Sequence, residues 1–251
     1  MLRLVVSRLA HAAAAALAIS FILSVTLTTA PAQERSELRQ APGSEQNAQN
    51  RPGQFDFYVL ALSWSPSFCE SAQERDRARS NDQQCGERAY SFVVHGLWPQ
   101  HERGYPGFCQ VPAPRLNRDI VDKMLDLMPS PRLVFHEWDR HGTCSGLGQN
   151  EYFETVRKAR AGVTIPERFQ AIAQPLSVSP GEVVDAFLKA NAGLTPEAMS
   201  IDCDSRRLRE VRICLSKDLA FRPCAEVARR TCRRDQLIMP PVRGARAAEL
   251  R

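Results

Sequence analysis

Two short segments, Phe92-Val-Val-His95-Gly-Leu-Trp98-Pro-Gln100 and Phe135-His136-Glu137-Trp138-Asp-Arg140-His141-Gly-Thr-Cys144, hold three of the five histidines in the chain. Imidazole, with an unperturbed pKa of about 6.5, can both take and give a proton near neutral pH. Two such groups beside a carboxylate and a guanidinium are equipment for acid/base chemistry on an anionic substrate. If residues 135–141 are helical and Gly142 ends the helix, Glu137 and His141 are four apart and share a face, and Glu137 and Arg140 are neighbours at three. His136 and Arg140, also four apart, then form an adjacent ridge fit to hold a phosphate, and Trp138 turns toward the core. The same spacing disfavours zinc. A metalloprotease His-Glu-x-x-His sets its histidines four apart, whereas His136 and His141 are five apart and so about 140° around the helix axis.

These residues need elements to hold them. Residues 55–64 are apolar and aromatic with β-branching, and Ser91-Phe-Val-Val leads into the first motif in the same manner, so both read as buried strands, with His95 at a strand's exit. Apolar residues at 120, 121, 124 and 128 predict a helix over 117–128, ended by Pro129. A further helix starts near Asn150, burying Phe153 and Val156 before Gly162. The clearest start is Ser179-Pro180-Gly181-Glu182, a capping box with proline in the first turn, and that helix should run to about Asn191 with Gly193 as its stop. Residues 199–203, 208–215 and 236–239 read as strands. Mixed strands and helices without a βαβ rhythm point to an α+β single domain: a central antiparallel sheet with packed helices.

The ends of the chain differ from its middle. Arg3 and Arg8, an apolar run over 9 to about 27, and Ala30-Pro31-Ala32 read as a signal peptide over 1–32, against the alternative of an uncleaved membrane anchor. Residues 33–54, poor in large apolar side chains, read as a flexible polar leader. Residues 55–240 form the expected domain and 241–251 a basic tail. The chain is thus expected to be exported, periplasmic or extracellular, with no stable membrane association after processing. All eight cysteines, at 69, 85, 109, 144, 203, 214, 224 and 232, lie within 55–240, and an even count in an exported chain argues for four disulfides. Spacing alone leaves 105 pairings open. The absence of any Cys-x-x-Cys argues against a zinc ribbon or thioredoxin-like site. The formal charge is +5, and +3 without the two arginines of the signal. Arginines at 206, 207, 209, 229, 230, 233 and 234 could form a footprint for a polyanion or simply a solvated surface.

The two motifs, together with Phe55-Asp-Phe-Tyr-Val-Leu-Ala-Leu-Ser-Trp64-Ser-Pro66 through Phe68-Cys69, resemble the ribonuclease T2 family of acid endoribonucleases. The resemblance implies cleavage of single-stranded RNA without a cofactor or metal, and a monomer. It implies His95 and His141 as the acid/base pair, His136 on the phosphate, and Glu137 and Arg140 stabilising the charged transition state. One histidine would take the ribose 2′-hydroxyl proton, the oxygen would attack the adjacent phosphorus, and the other histidine would protonate the departing 5′-oxygen, leaving a 2′,3′-cyclic phosphate. DNA, lacking the hydroxyl, should not be cleaved. Trp98, in the first motif, and Tyr105, near it, are the aromatic platforms expected to stack bases. The family pattern also implies the bridges Cys69–Cys85, Cys109–Cys144, Cys203–Cys232 and Cys214–Cys224. Two positions depart from it: Arg140 stands where lysine is usual, and Gln100 where some relatives carry Asp. Two other function classes compete. A module that binds RNA without cutting it should lack one of His95, Glu137 or His141, and a metal-dependent hydrolase should carry a carboxylate cluster.

Overall fold

The computed structural model describes residues 50–75, 83–86 and 88–243. The expected signal segment, the leader up to residue 49 and the tail from residue 244 lie outside the described residues.

Strand β1 (Phe57–Trp64) is covered on both faces, which is why it reads as a continuous apolar run rather than an alternating one. It pairs with β2 (Phe92–Gln100) on one side and β5 (Leu208–Leu215) on the other, and β4 (Met199–Cys203) completes a four-stranded antiparallel sheet of order β2-β1-β5-β4. β2 is an edge strand, where Pro99 removes no ladder donor that a neighbour needs. Its outer side is held at one point by Val94, whose N–H donates to the carbonyl of Leu127 at 2.9 Å.

A β-bulge interrupts the β1–β2 ladder. Ala61 faces Gly96 and Leu62 faces Val94, so His95 is the extra residue. The inward parity of β2 switches there. Val94 and Leu97 both join Leu60 and Leu62 in the main core, whereas Trp98 packs beside Val59 on the opposite face. The expectation that His95 marks a strand's exit is corrected: pairing continues through Gln100 opposite Phe57, and His95 sits at a bulge within the strand.

Among the described residues six α-helices accompany the sheet: α1 (Ser65–Glu74), α2 (Arg118–Met124), α3 (Pro131–Arg140), α4 (Gln149–Ala161), α5 (Pro180–Ala190) and α6 (Ala225–Arg229). The chain is therefore α+β, as its pattern predicts. The helix read over 117–128 is shorter at its far end, because residues 125–130 turn to start α3, whose first-turn Pro131 precedes the motif by four residues. The Ser179 hydroxyl accepts from the Glu182 N–H and the Glu182 carboxylate from the Ser179 N–H, which is the expected box at the head of α5. Unanticipated are α1, which begins directly after β1 at Ser65-Pro66-Ser67, the short α6, and β3 (Leu176–Val178), which pairs with β6 (Leu237–Met239) in a small second sheet. In the main core Trp64, Phe92 and Phe187 meet edge to face, and Trp138 anchors α3, donating its indole N–H to the Pro114 carbonyl at 2.8 Å.

The bridges are Cys69–Cys85, Cys109–Cys144, Cys203–Cys232 and Cys214–Cys224. Packing extends beyond 55–240 on both sides. The Asn50 side chain accepts from the Gly107 N–H, the Gly53 N–H donates to Cys144, and Val242 is buried with its N–H on the Ile172 carbonyl. His101, outside both motifs, is half-buried beside Asp56. Much of the arginine footprint is paired internally: Arg207 bonds Glu74, Asp204 and Glu70, Arg206 bonds Glu74, and Arg230 bonds Glu226. Among the described residues no helix is long and apolar enough to cross a membrane.

The Cys109–Cys144 bridge ties the loop after β2 to the end of the second motif, spanning a sequence separation of 35. Replacing both cysteines by serine is expected to lower unfolding free energy by about 2–5 kcal/mol in urea titrations. It should also reduce RNA cleavage under conditions where the protein is still folded.

Candidate active site

His95 projects from the bulge on the sheet face away from the main core. Ala61 and Ser63 on β1 are small, and His95 reaches across that strand to β5, where its Nδ1 lies 2.5 Å from Glu210 Oε1. The other ring nitrogen, Nε2, lies 3.8 Å from Glu137 Oε1. Glu210 is itself fully engaged. Its Oε1 also accepts from the Ser63 hydroxyl at 3.2 Å, and its Oε2 accepts from Arg212 Nε at 3.0 Å and Nη2 at 2.8 Å.

Helix α3 supplies the second half of the site. Glu137 is only 1% exposed, and its Oε2 accepts the Trp98 indole N–H at 2.8 Å. The carboxylate occupies the space beside Gly96: a Cβ there would come within 1.9 Å of Glu137 Oε2 and 2.3 Å of Trp98 Nε1. His141, at the C-terminal end of α3, stacks on Trp98 with ring centroids 5.4 Å apart. Its Nδ1 is buried without a hydrogen-bond partner among the described residues. Arg140 holds its guanidinium over the Phe108 ring at 5.6 Å, and the Phe108 N–H donates to the Arg140 carbonyl at 2.9 Å. No carboxylate is paired with Arg140 among the described residues, so this cation is open to an incoming anion.

A cavity of about 320 Å³ brings together all seven non-cysteine residues singled out from the sequence, His95, Trp98, Tyr105, His136, Glu137, Arg140 and His141. A second cavity of about 220 Å³, lined by Ser63, Phe68, Ser130, Leu133 and Arg209, meets the first at His95. The relative standing of the two aromatic candidates changes. Trp98 has its N–H on Glu137, His141 stacked against it and the Arg212 guanidinium 5.5 Å over its ring, whereas Tyr105 is 46% exposed at the cavity wall.

Environment separates the histidines electrostatically. For His141, burial and then the positive charges of Arg140, His136 and His95 push the pKa down to about 2, so the ring is neutral. For His95, burial opposes the charged form, but the hydrogen bond and charge of Glu210 and the charge of Glu137 outweigh it and raise the pKa. Burial pushes Glu137 up to about 7, against the pull of His95 and the Trp98 bond. Burial would also raise Glu210, yet His95 and Arg212 hold it down at about 2. His136 is lowered by burial, then by Arg140 and His95.

Glu210 and Arg212 were not singled out from the sequence. Their signal was a pair of charges two apart on a stretch read as a strand, which places both on one face.

A chain with this site and fold has known relatives. The model of the ribonuclease T2 family matches residues 55–224, which include both motifs, Glu210 and Arg212. The chain belongs to the ribonuclease T2 family. As a T2 ribonuclease it is an RNA-cleaving enzyme. It is 37% identical over 176 residues to a ribonuclease of Aeromonas hydrophila, covering 68% of this chain and 76% of that one. Ribonuclease I of Escherichia coli is 26% identical over 211 residues, 68% of this chain and 79% of that one. In fold, this T2 ribonuclease is similar to trichomaglin, an S-like ribonuclease (TM-score 0.61, 21% identity, 75% of this chain and 99% of that one). It is likewise similar to RNase NT (TM-score 0.56, 23% identity, 75% and 99%).

The seating of Glu137 over Gly96 gives a sharp test. Gly96→Ala should cost about 1–3 kcal/mol of stability, as overpacking does, measured by urea unfolding. Its loss of RNA cleavage should exceed what partial unfolding explains, because the collision falls on the Glu137 carboxylate itself.

Proposed function

We propose that this enzyme is an exported endoribonuclease that cleaves single-stranded RNA by metal-independent transphosphorylation to 2′,3′-cyclic phosphate products. The observation that carries the reading is the opposed surroundings of two histidines in a single cavity: His95 is hydrogen-bonded to the buried Glu210 carboxylate, whereas His141 is buried against Trp98 and near the Arg140 cation, with no anion on it among the described residues.

In this reading His141 is the base. Its neutral imidazole takes the proton of the 2′-hydroxyl, and the oxygen attacks the adjacent phosphorus. His95 is the acid, giving the proton of Nε2 to the 5′-oxygen as the P–O bond breaks. Charge on the non-bridging oxygens is met by the unpaired guanidinium of Arg140 and by His136. Below about pH 7 Glu137 carries a proton and can donate a hydrogen bond to the same oxygens rather than repel them. The nucleophile belongs to the substrate, so DNA is inert. Tyr105 offers a face for a base, and the two cavities flanking His95 suit the nucleotides on either side of the scissile phosphate. In this reading the two histidines carry both proton transfers and the substrate supplies its own nucleophile, so no step calls on a metal ion. Export is supported by four disulfides and by the apolar segment before Ala30-Pro31-Ala32.

Cleavage of single-stranded RNA in excess EDTA is expected to proceed at the rate seen without chelator and to yield cyclic phosphates. Collapse in EDTA with recovery on zinc or magnesium addition would overturn the mechanism. His141→Ala should lower the rate by about 10²–10⁴-fold while RNA binding persists.

The pH profile follows from the signs. A raised pKa keeps His95 protonated past its ordinary range, and activity should fall as pH rises through it and through the Glu137 value of about 7. On the acid side, activity should persist far below the ordinary histidine range, until His141 protonates. The optimum should therefore lie below neutrality. A rate that climbs steadily into the alkaline range would be incompatible with His95 as acid.

Arg140→Ala should lower kcat and kcat/KM together, the mark of an interaction made in the transition state. Arg140→Lys should recover much of the loss. A rise in KM alone would make Arg140 a substrate-holding cation without a part in the chemical step.

A further inference from the structure

We propose that Glu210, clamped by Arg212, is the positioning residue that fixes His95 in the Nδ1–H form and aims its Nε2 proton at the leaving oxygen. The inference rests on the reading of His95 as general acid and adds a residue to it that neither motif contains.

The strand register makes the arrangement. Ser63 of β1 is paired with Glu210 of β5, and Ala61 with Arg212, while Ala61 also faces Gly96 beside the bulge. Glu210 and Arg212 therefore share the sheet face on which His95 emerges, with only a methyl group and a hydroxymethyl group between. A longer side chain at 61 or 63 would stand in the path of the imidazole. The bulge matters equally: it frees His95 from the ladder position that would otherwise set its direction.

Glu210 is 4% exposed, so its charge is costly unless matched. The Arg212 fork takes one oxygen through two nitrogens, and His95 and Ser63 take the other. Every strong acceptor direction is used, which leaves the carboxylate no alternative geometry. A buried anion 2.5 Å from Nδ1 requires a proton on that nitrogen in both the charged and the neutral imidazole. The proton that can leave is then the one on Nε2, the nitrogen that faces Glu137 and the cavity.

Other charges also bear on His95. From α3 come Glu137, which favours the charged ring, and His136; His141 follows at the helix end. From β4 comes Asp202, itself raised by burial, and from β5 the positive Arg212, which opposes protonation of His95. Glu210 is the member of this set in hydrogen-bond contact, so it alone can select the tautomer. The step it supports is balanced: the Nε2–H bond breaks, the proton goes to the 5′-oxygen, and the P–O electron pair remains on that oxygen.

The test compares two substrates. A dinucleoside phosphate needs its departing 5′-oxygen protonated; a nucleoside 3′-(4-nitrophenyl phosphate) releases nitrophenolate without a proton. Glu210→Gln should lower kcat on the dinucleoside phosphate by roughly 10–100-fold, the range typical of residues that orient an active group. KM and the rate on the nitrophenyl ester should stay near wild type, and the alkaline limb should move to lower pH. Glu210→Asp, which keeps the charge, should recover part of the loss. Equal losses on both substrates, or an unmoved alkaline limb, would overturn the proposal in favour of a purely structural ion pair. Ring-nitrogen NMR of His95 in the wild-type enzyme keeps the test independent of whether a variant folds: Nδ1 should stay protonated throughout the titration, and a neutral form with its proton on Nε2 would overturn the proposal. Failure of the underlying reading has a different signature. His95→Ala cleaving the dinucleoside phosphate at the wild-type rate would remove His95 as acid, whatever its tautomer.

Discussion

The seating of one buried carboxylate against one missing side chain governs the site. Glu137 fits where a Cβ on residue 96 would be, and from there it holds the Trp98 indole N–H and faces His95. This contact sets how closely α3 approaches β2. Trp138, one residue on, enters the core and bonds the Pro114 carbonyl, so packing and chemistry come from adjacent positions of the same helix. The cysteine bridge at residue 144 and the Phe108–Arg140 backbone bond then keep the following loop against the helix end. A shift of α3 large enough to relieve any one of these contacts would disturb the others.

Low dielectric alone would push both site histidines toward the neutral form. They differ because only one of them has an anion within hydrogen-bond distance. His141 is surrounded by cationic neighbours and an aromatic face, while His95 lies between two carboxylates of unlike character. Glu210 is held ionised against its burial by His95 and then by Arg212; Glu137, with the Trp98 N–H on it and His95 farther off, is pushed up by burial to about 7. Like groups are thereby given unlike proton affinities by what stands behind each.

Much of this was legible before the fold was known. The helix periodicity around Glu137, Arg140 and His141, the capping box at Ser179 and the strand pattern over 199–203 and 208–215 are local signals, and the corresponding elements form. What was not legible depended on pairing between distant strands. The bulge at His95 exists only relative to Ala61 and Leu62, and the importance of Glu210 only relative to a histidine 115 positions away. Trp98 reads as an exposed platform from its motif, yet its faces and N–H meet groups from β5 and α3 that no local pattern announces. Helix α1 was hidden because Ser-Pro-Ser is as good a turn as it is a helix start.

The strand that carries His95 is also the edge of the sheet. An open edge invites another chain to add a strand, and such an addition here would impose regular pairing on the segment whose irregularity aims the imidazole. Two features already described stand against it. The Val94 N–H is occupied by the Leu127 carbonyl on the outer side, and Pro99 has no N–H to offer. With a bulge between them, the remaining stretch is too short and too bent to serve as a template. Protection from self-association and the aim of the imidazole are thus properties of the same nine residues, so a sequence that tidied β2 into a regular strand would put both at risk together.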